Sequence, residues 1–117
     1  MKAATSGKIV QVSGDAGIWV KHGNEQMYNG AVEKAIEFYN LALEANPDLA
    51  PAWTGKADAL EVCGSYDEAI QCYDHALACD PLDAECLFKK GITLREMGRE
   101  EEGLSAMKRS VHASIGV

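Results

Sequence analysis

The chain has 117 residues, 47% hydrophobic and 25% charged, which suits one domain with a single core or a short stack of repeated units. A formal net charge of −7 argues against nucleic acid or an anionic membrane as the main partner, since both are polyanions. No apolar run reaches the roughly 18 residues of a membrane span, and three prolines, 7% aromatics and abundant alanine favour helix over strand.

Residues 1–15 hold Ser, Gly and the short β-prone run Lys8-Ile9-Val10-Gln11-Val12. That run is too short for the apolar part of a secretory signal. An extended or disordered arm is expected there, and a cytoplasmic location for the protein. From residue 16 onward, small and apolar side chains recur at helical spacing. Helices are predicted over 16–28, 32–45, 50–63, 66–79, 84–97 and 100–114. In the first, Trp19, Gly23 and Gln26–Met27 share a face. In the second, Ala35, Phe38–Tyr39 and Ala42 do. Gly30, between these two helices, permits the left-handed turn that closes a helical hairpin. Pro47 stops the second helix because its ring cannot continue the hydrogen-bond ladder. Asp48 and Asp83 lie beside the next helix starts, where a carboxylate can cap free N–H groups. Glu100–Glu101–Glu102 opens the last helix, where negative charge suits the helix dipole.

The pattern repeats. Pro47 and Pro81 lie 34 positions apart, as do Trp19, Trp53 and Leu87, and Gly30, Gly64 and Gly98. Tyr39, Tyr73 and Met107 form another series at the same spacing, with Ala35, Ala69 and Gly103, and Ala42, Ala76 and Ser110. Several series sharing one period are the mark of a repeat architecture. The small members let helix axes approach closely, and the aromatics fill the space beside them. Ala69→Leu is therefore expected to overpack the joint, at a cost of roughly 1–3 kcal/mol.

The phrase from Ala52-Trp53-Thr54-Gly55 through Gly64-Ser65-Tyr66-Asp67-Glu68-Ala69, then Tyr73, Ala76-Leu77 and Asp80-Pro81, resembles the tetratricopeptide repeat. The resemblance covers three tandem repeats, 16–49, 50–83 and 84–117, the third drifting from the pattern after Gly98. It implies an all-α superhelix, a solenoid of three helix-turn-helix units. It also implies a protein-binding adaptor or scaffold, with no catalytic residue, cofactor or metal of its own. The first helix of each unit would line a concave groove suited to an extended peptide or a partner helix. On the repeat register the groove positions are Val20, Lys21, Asn24 and Tyr28 in the first unit. In the second they are Thr54, Gly55, Asp58 and Glu61, and in the third Phe88, Lys89, Ile92 and Arg95. Family members that grip the C-terminal carboxylate of heat-shock chaperones use Lys, Asn, Asn, Lys and Arg at set offsets. Those offsets hold Val20, Asn24, Gly55, Glu85 and Lys89 here, and Glu85 would repel a carboxylate, so chaperone-tail binding is not expected.

The alternative function is a self-assembling structural module. No polar capping helix follows the third repeat, and Leu104, Met107, Val111 and Ile115 recur at helical spacing. Either this end associates with a second copy or the chain is a piece of a longer protein. A thiol- or metal-sensing adaptor is a third reading. Cys63, Cys72, Cys79 and Cys86 form no C-x-x-C pair, and packing as small apolar groups between helices is expected of them, although Cys79 and Cys86 bracket a turn and could approach. His22, His75 and His112 share no regular spacing. His22 is expected in the core, the other two facing solvent. No phosphate loop, nucleophile elbow or H-E-x-x-H motif is present, so an enzyme is not expected.

Overall fold

The computed structural model describes residues 16–116. The arm expected at residues 1–15 lies outside the described residues. Six α-helices follow one another: α1 (Ala16–Tyr28), α2 (Val32–Ala45), α3 (Ala50–Val62), α4 (Tyr66–Cys79), α5 (Ala84–Glu96) and α6 (Glu100–Ile115). The predicted ends agree to within one residue. They pair as three antiparallel hairpins, α1/α2, α3/α4 and α5/α6, stacked so that α3 packs on both α2 and α1 and α5 packs on α4.

Each hairpin closes on a glycine. Gly30, Gly64 and Gly98 have φ of 81°, 82° and 84°, the left-handed region that a side chain strains. The N–H of the following residue then reaches back to a carbonyl in the last turn: Ala31 to Gln26 at 2.8 Å, Ser65 to Leu60 and Arg99 to Leu94 at 2.9 Å. Between repeats, Pro47 and Pro81 sit two residues beyond the ends of α2 and α4, after Asn46 and Asp80 have turned to extended backbone. Asp83 caps α5, its carboxylate accepting from the Cys86 N–H at 3.1 Å. Asp48 does not cap α3. The residue 34 positions before Asp83 is Leu49, which takes the cap site without a side-chain hydrogen bond, and Asp48 falls one place upstream.

The joints explain the small residues. Tyr39 is fully buried with Gly23 of α1 and Gly55 of α3 on either side of its ring, and a Cβ at those glycines would fall 2.6 and 2.5 Å from it. Tyr73 is buried at the equivalent place one repeat on. The third repeat keeps its joint by other means. Gly91 of α5 and Gly103 of α6 face each other so closely that a Cβ on Gly91 would lie 2.8 Å from the Gly103 carbonyl oxygen. Ser110, in an alanine slot, is buried and donates its hydroxyl to the Ala84 carbonyl at 2.7 Å, so the polar group is satisfied where it packs.

Two expectations about single residues change. His22 is half-buried rather than a core residue: its ring leans on Trp19 and Phe38, and Nδ1 lies 3.3 Å from Glu25, because α1 has no earlier repeat covering that edge among the described residues. Of the cysteines, Cys72 and Cys86 are buried, but Cys63 and Cys79 sit exposed at helix ends. Cys86 points its sulfur at the Tyr73 carbonyl, 3.5 Å away inside the joint, and all four thiols are free. Burial pushes the Cys72 thiol up and the Cys86 thiol up to about 12. A thiol reagent at neutral pH is therefore expected to modify two cysteines rapidly in the native protein and the remaining pair only after unfolding. Titration with a chromogenic disulfide, before and after guanidinium, counts them.

Candidate functional site

Of the positions expected on the first helices, Asn24, Thr54, Gly55, Asp58 and Lys89 line one cavity, Lys21 and Tyr28 border another, and Phe88 lies against α6. The first cavity, open and about 380 Å³ in volume, is lined by Asn24 of α1, Pro51, Thr54, Gly55 and Asp58 of α3, and Glu85 and Lys89 of α5, with Asp80 and Asp83 on its rim. Lys21, Asn24 and Tyr28 border a second hollow of about 450 Å³ at the α1 end. Phe88 and Arg95 are exposed, while Val20, Thr54, Asp58, Lys89 and Ile92 are part-buried.

Several of these side chains are already engaged within the chain. Asn24 accepts from the Tyr39 hydroxyl at 2.5 Å, and Asp58, its equivalent one repeat later, accepts from Tyr73 at 2.7 Å. In the third repeat the same two positions hold Ile92 and Met107, so an apolar pair replaces the polar one. Burial first, and then the nearby Asp58 carboxylate, pushes both phenols up, which keeps them protonated donors. Thr54 spends its hydroxyl on the Ala50 carbonyl of its own helix. Lys89 reaches Asp58 at 2.9 Å and Glu85 at 3.4 Å. Burial disfavours its ammonium, but the hydrogen bond to Asp58 and the charges of Asp58 and Glu85 outweigh that and raise its pKa. Arg95 pairs with Glu100, and Arg99 with Glu102, so two of the three acidic residues that open α6 also tie down exposed arginines.

Among the described residues, Asp58, Asp80, Asp83 and Glu85 line the cavity with one cation, Lys89, which two of them share. Beyond Asp58, Glu61 is half-buried, and burial pushes its carboxyl up to about 7, helped by a hydrogen bond with the Glu96 carboxyl and by the charges of Glu96 and Asp58. The folded protein thus holds this proton to a higher pH than the unfolded chain does, so stability falls as pH rises from about 4.5 to about 7. Thermal unfolding followed by circular dichroism is expected to show a lower Tm at pH 7.5 than at pH 5, with a shallower slope for Glu61→Gln.

The cysteine–histidine–carboxylate groupings do not converge: no cluster of three or more such residues that could hold a metal occurs among the described residues. None of the described helices is long and apolar enough to cross a membrane.

The period of the joints, the glycine turns and the paired helices agree with two matches to tetratricopeptide-repeat family models, one over residues 26–87 and one over residues 72–104. The chain belongs to the tetratricopeptide-repeat family. Relatives by sequence span distant organisms. The uncharacterised protein MJ0572 of Methanocaldococcus jannaschii is 44% identical over 62 residues, 53% of this chain and 72% of that protein. The small glutamine-rich tetratricopeptide repeat-containing protein 2 of Mycosarcoma maydis is 30% identical over 89 residues, 76% of this chain but 25% of the relative. Among solved structures, a crystal structure of MamA superposes with a TM-score of 0.83 at 18% identity, covering 86% of this chain and 59% of MamA. The second tetratricopeptide domain of Spaghetti (RPAP3), bound to the HSP90 peptide SRMEEVD, gives 0.82 at 22% identity, covering 86% of this chain and 94% of that domain. These likenesses establish the tetratricopeptide solenoid fold of the described residues.

Proposed function

We propose that the concave face binds an extended segment of a partner polypeptide that carries basic side chains. The observation behind this is the surplus of carboxylates around the cavity that joins α1, α3 and α5. Lys89, the cation at its wall, is held by Asp58 and Glu85 and is not free to grip an anion. Val20 and Ile92 are part-buried apolar positions on the same first helices, and apolar ground of that kind suits the stems of Lys or Arg. The repeat fold is compatible with a groove ligand, since the Spaghetti domain carries a peptide. The ligand chemistry differs: an acidic tail such as SRMEEVD would meet Glu85 and the Asp80–Asp83 rim, and like charges brought together oppose binding.

Fluorescence anisotropy tests this directly, with labelled lysine- and arginine-containing peptides set against SRMEEVD. Basic peptides are expected to bind, more weakly as salt is raised. Glu85→Lys, an exposed site, is expected to lose about tenfold in affinity, the equivalent of about 1.4 kcal/mol. Tighter binding of SRMEEVD than of the basic peptides, or indifference to Glu85→Lys, would sink the proposal.

A further inference from the structure

The two ends of the stack expose residues that the repeat period buries elsewhere. Ile70 and Leu77 of α4 are each 9% exposed, because α5 and α6 follow them. Their equivalents 34 positions on, Leu104 and Val111 of α6, are 46% and 55% exposed. At the other end, Ile18 of α1 is 51% exposed, whereas its equivalents Ala52 of α3 and Cys86 of α5 are 0% exposed. Cys86 shows what that position touches, since its sulfur lies 3.5 Å from the Tyr73 carbonyl on the second helix of the preceding repeat. The residue equivalent to Tyr73 at the open end is Met107. One end therefore carries the residues that a following first helix covers, and the other carries the first helix that does the covering.

From this we infer that the protein assembles head to tail, α1 of one copy docking on the outer face of α6 of another as α5 docks on α4 within the chain. The occupant is a second copy because the established interface between repeats two and three continues into it on the same register. The residue types fit that register: flexible Met107 stands where Tyr73 fills the internal joint, leaving room for Ile18 where the internal joint holds the smaller Cys86. A hollow of about 350 Å³ beside Phe88, Val111 and Ile115 continues the apolar face. The contact is heterologous, so it does not close on a pair of copies, and stacks lengthen with concentration. Each copy carries a net charge of −7, so salt, by screening the repulsion, is expected to strengthen association. Glu85 borders both this face and the concave cavity, but Ile18 and Val111 line neither the cavity nor its rim, so the docking does not depend on the ligand proposed there.

The decisive experiment uses two exposed-site variants, Ile18→Glu and Val111→Glu, in sedimentation velocity over a concentration series, with circular dichroism to confirm that each is folded. The unaltered protein is expected to pass from one chain to dimers and longer stacks, and each variant alone to remain a single chain. Mixed in equal amounts, the variants are expected to form a dimer and nothing larger, because one supplies an intact tail and the other an intact head. A single-chain mass for the unaltered protein throughout, at high micromolar concentration and added salt, overturns the proposal. So does association of Ile18→Glu to the same extent as the unaltered protein, which would mean that α6 meets α6, and so does a mixture that stays monomeric while the unaltered protein associates.

Discussion

Gly91→Ala is expected to destabilise the protein by up to about 2 kcal/mol, although alanine is the better helix former. The helix-propensity term alone favours the substitution by about 1 kcal/mol. Opposing it, the new methyl would lie 2.7 Å from Met107 Cγ and 2.8 Å from the Gly103 carbonyl oxygen. Met107 can rotate aside, but the carbonyl belongs to the α6 backbone and moves only if the two helix axes separate. Separation loosens the α5/α6 joint along its length, and overpacking of this kind typically costs roughly 1–3 kcal/mol. Gly17→Ala is the control with the opposite sign, since a Cβ there meets nothing within 4 Å and should be neutral or slightly stabilising. Thermal unfolding separates the two, with roughly 4–8 °C of Tm expected per kcal/mol in a domain near this size. A Gly91→Ala protein that melts at or above the parent temperature would show that α5 and α6 do not touch through their backbones.

The second large effect falls at Asp58, where support of the fold and the surface of the groove meet in one side chain. Its carboxylate accepts from Tyr73, whose ring is fully buried, and pairs with Lys89 across two repeats. In Asp58→Ala the Tyr73 hydroxyl loses its acceptor inside the joint, a loss of about 1–3 kcal/mol. The ion pair adds little more, up to about 1 kcal/mol, because both partners keep roughly a third of their exposure. The expected total is about 1–4 kcal/mol. Asp58→Asn keeps an acceptor for Tyr73 and should cost less. The double variant with Tyr73→Phe removes the orphaned hydroxyl, so it should be more stable than the two single losses added together predict. Denaturant unfolding of the four proteins gives the coupling directly. Strict additivity would mean that the hydroxyl finds another partner, and that Asp58 matters only for the groove.

Much of this molecule can be read from its spacing. The glycines at 30, 64 and 98, the prolines at 47 and 81 and the aromatic–small alternation each mark a place where local chemistry permits few conformations. The same register placed Asn24, Thr54, Asp58 and Lys89 on first helices, where they line one cavity. What they do there was not legible in it. Asn24, Asp58 and Lys89 read as free polar groups in the sequence, yet each is engaged by a residue 15 or 31 positions away. The tyrosine partners were visible as a series, and the offset of 15 residues shared by the Tyr39–Asn24 and Tyr73–Asp58 bonds is a signal that could have been sought. The fates of the cysteines and of His22 were less accessible, since a helix end and a helix interior can carry the same residue type.

The sequence by itself determined the repeat, the hairpins and the boundaries, because turn glycines, proline stops and helical periodicity act over a few residues. The tertiary structure alone decided which carboxylates crowd one cavity, that Lys89 is already spoken for, and that Ile18, Leu104 and Val111 stand uncovered where their internal counterparts are buried. Charge balance and burial depend on which side chains the stacking of helices brings together across tens of residues, and no local preference encodes that sum.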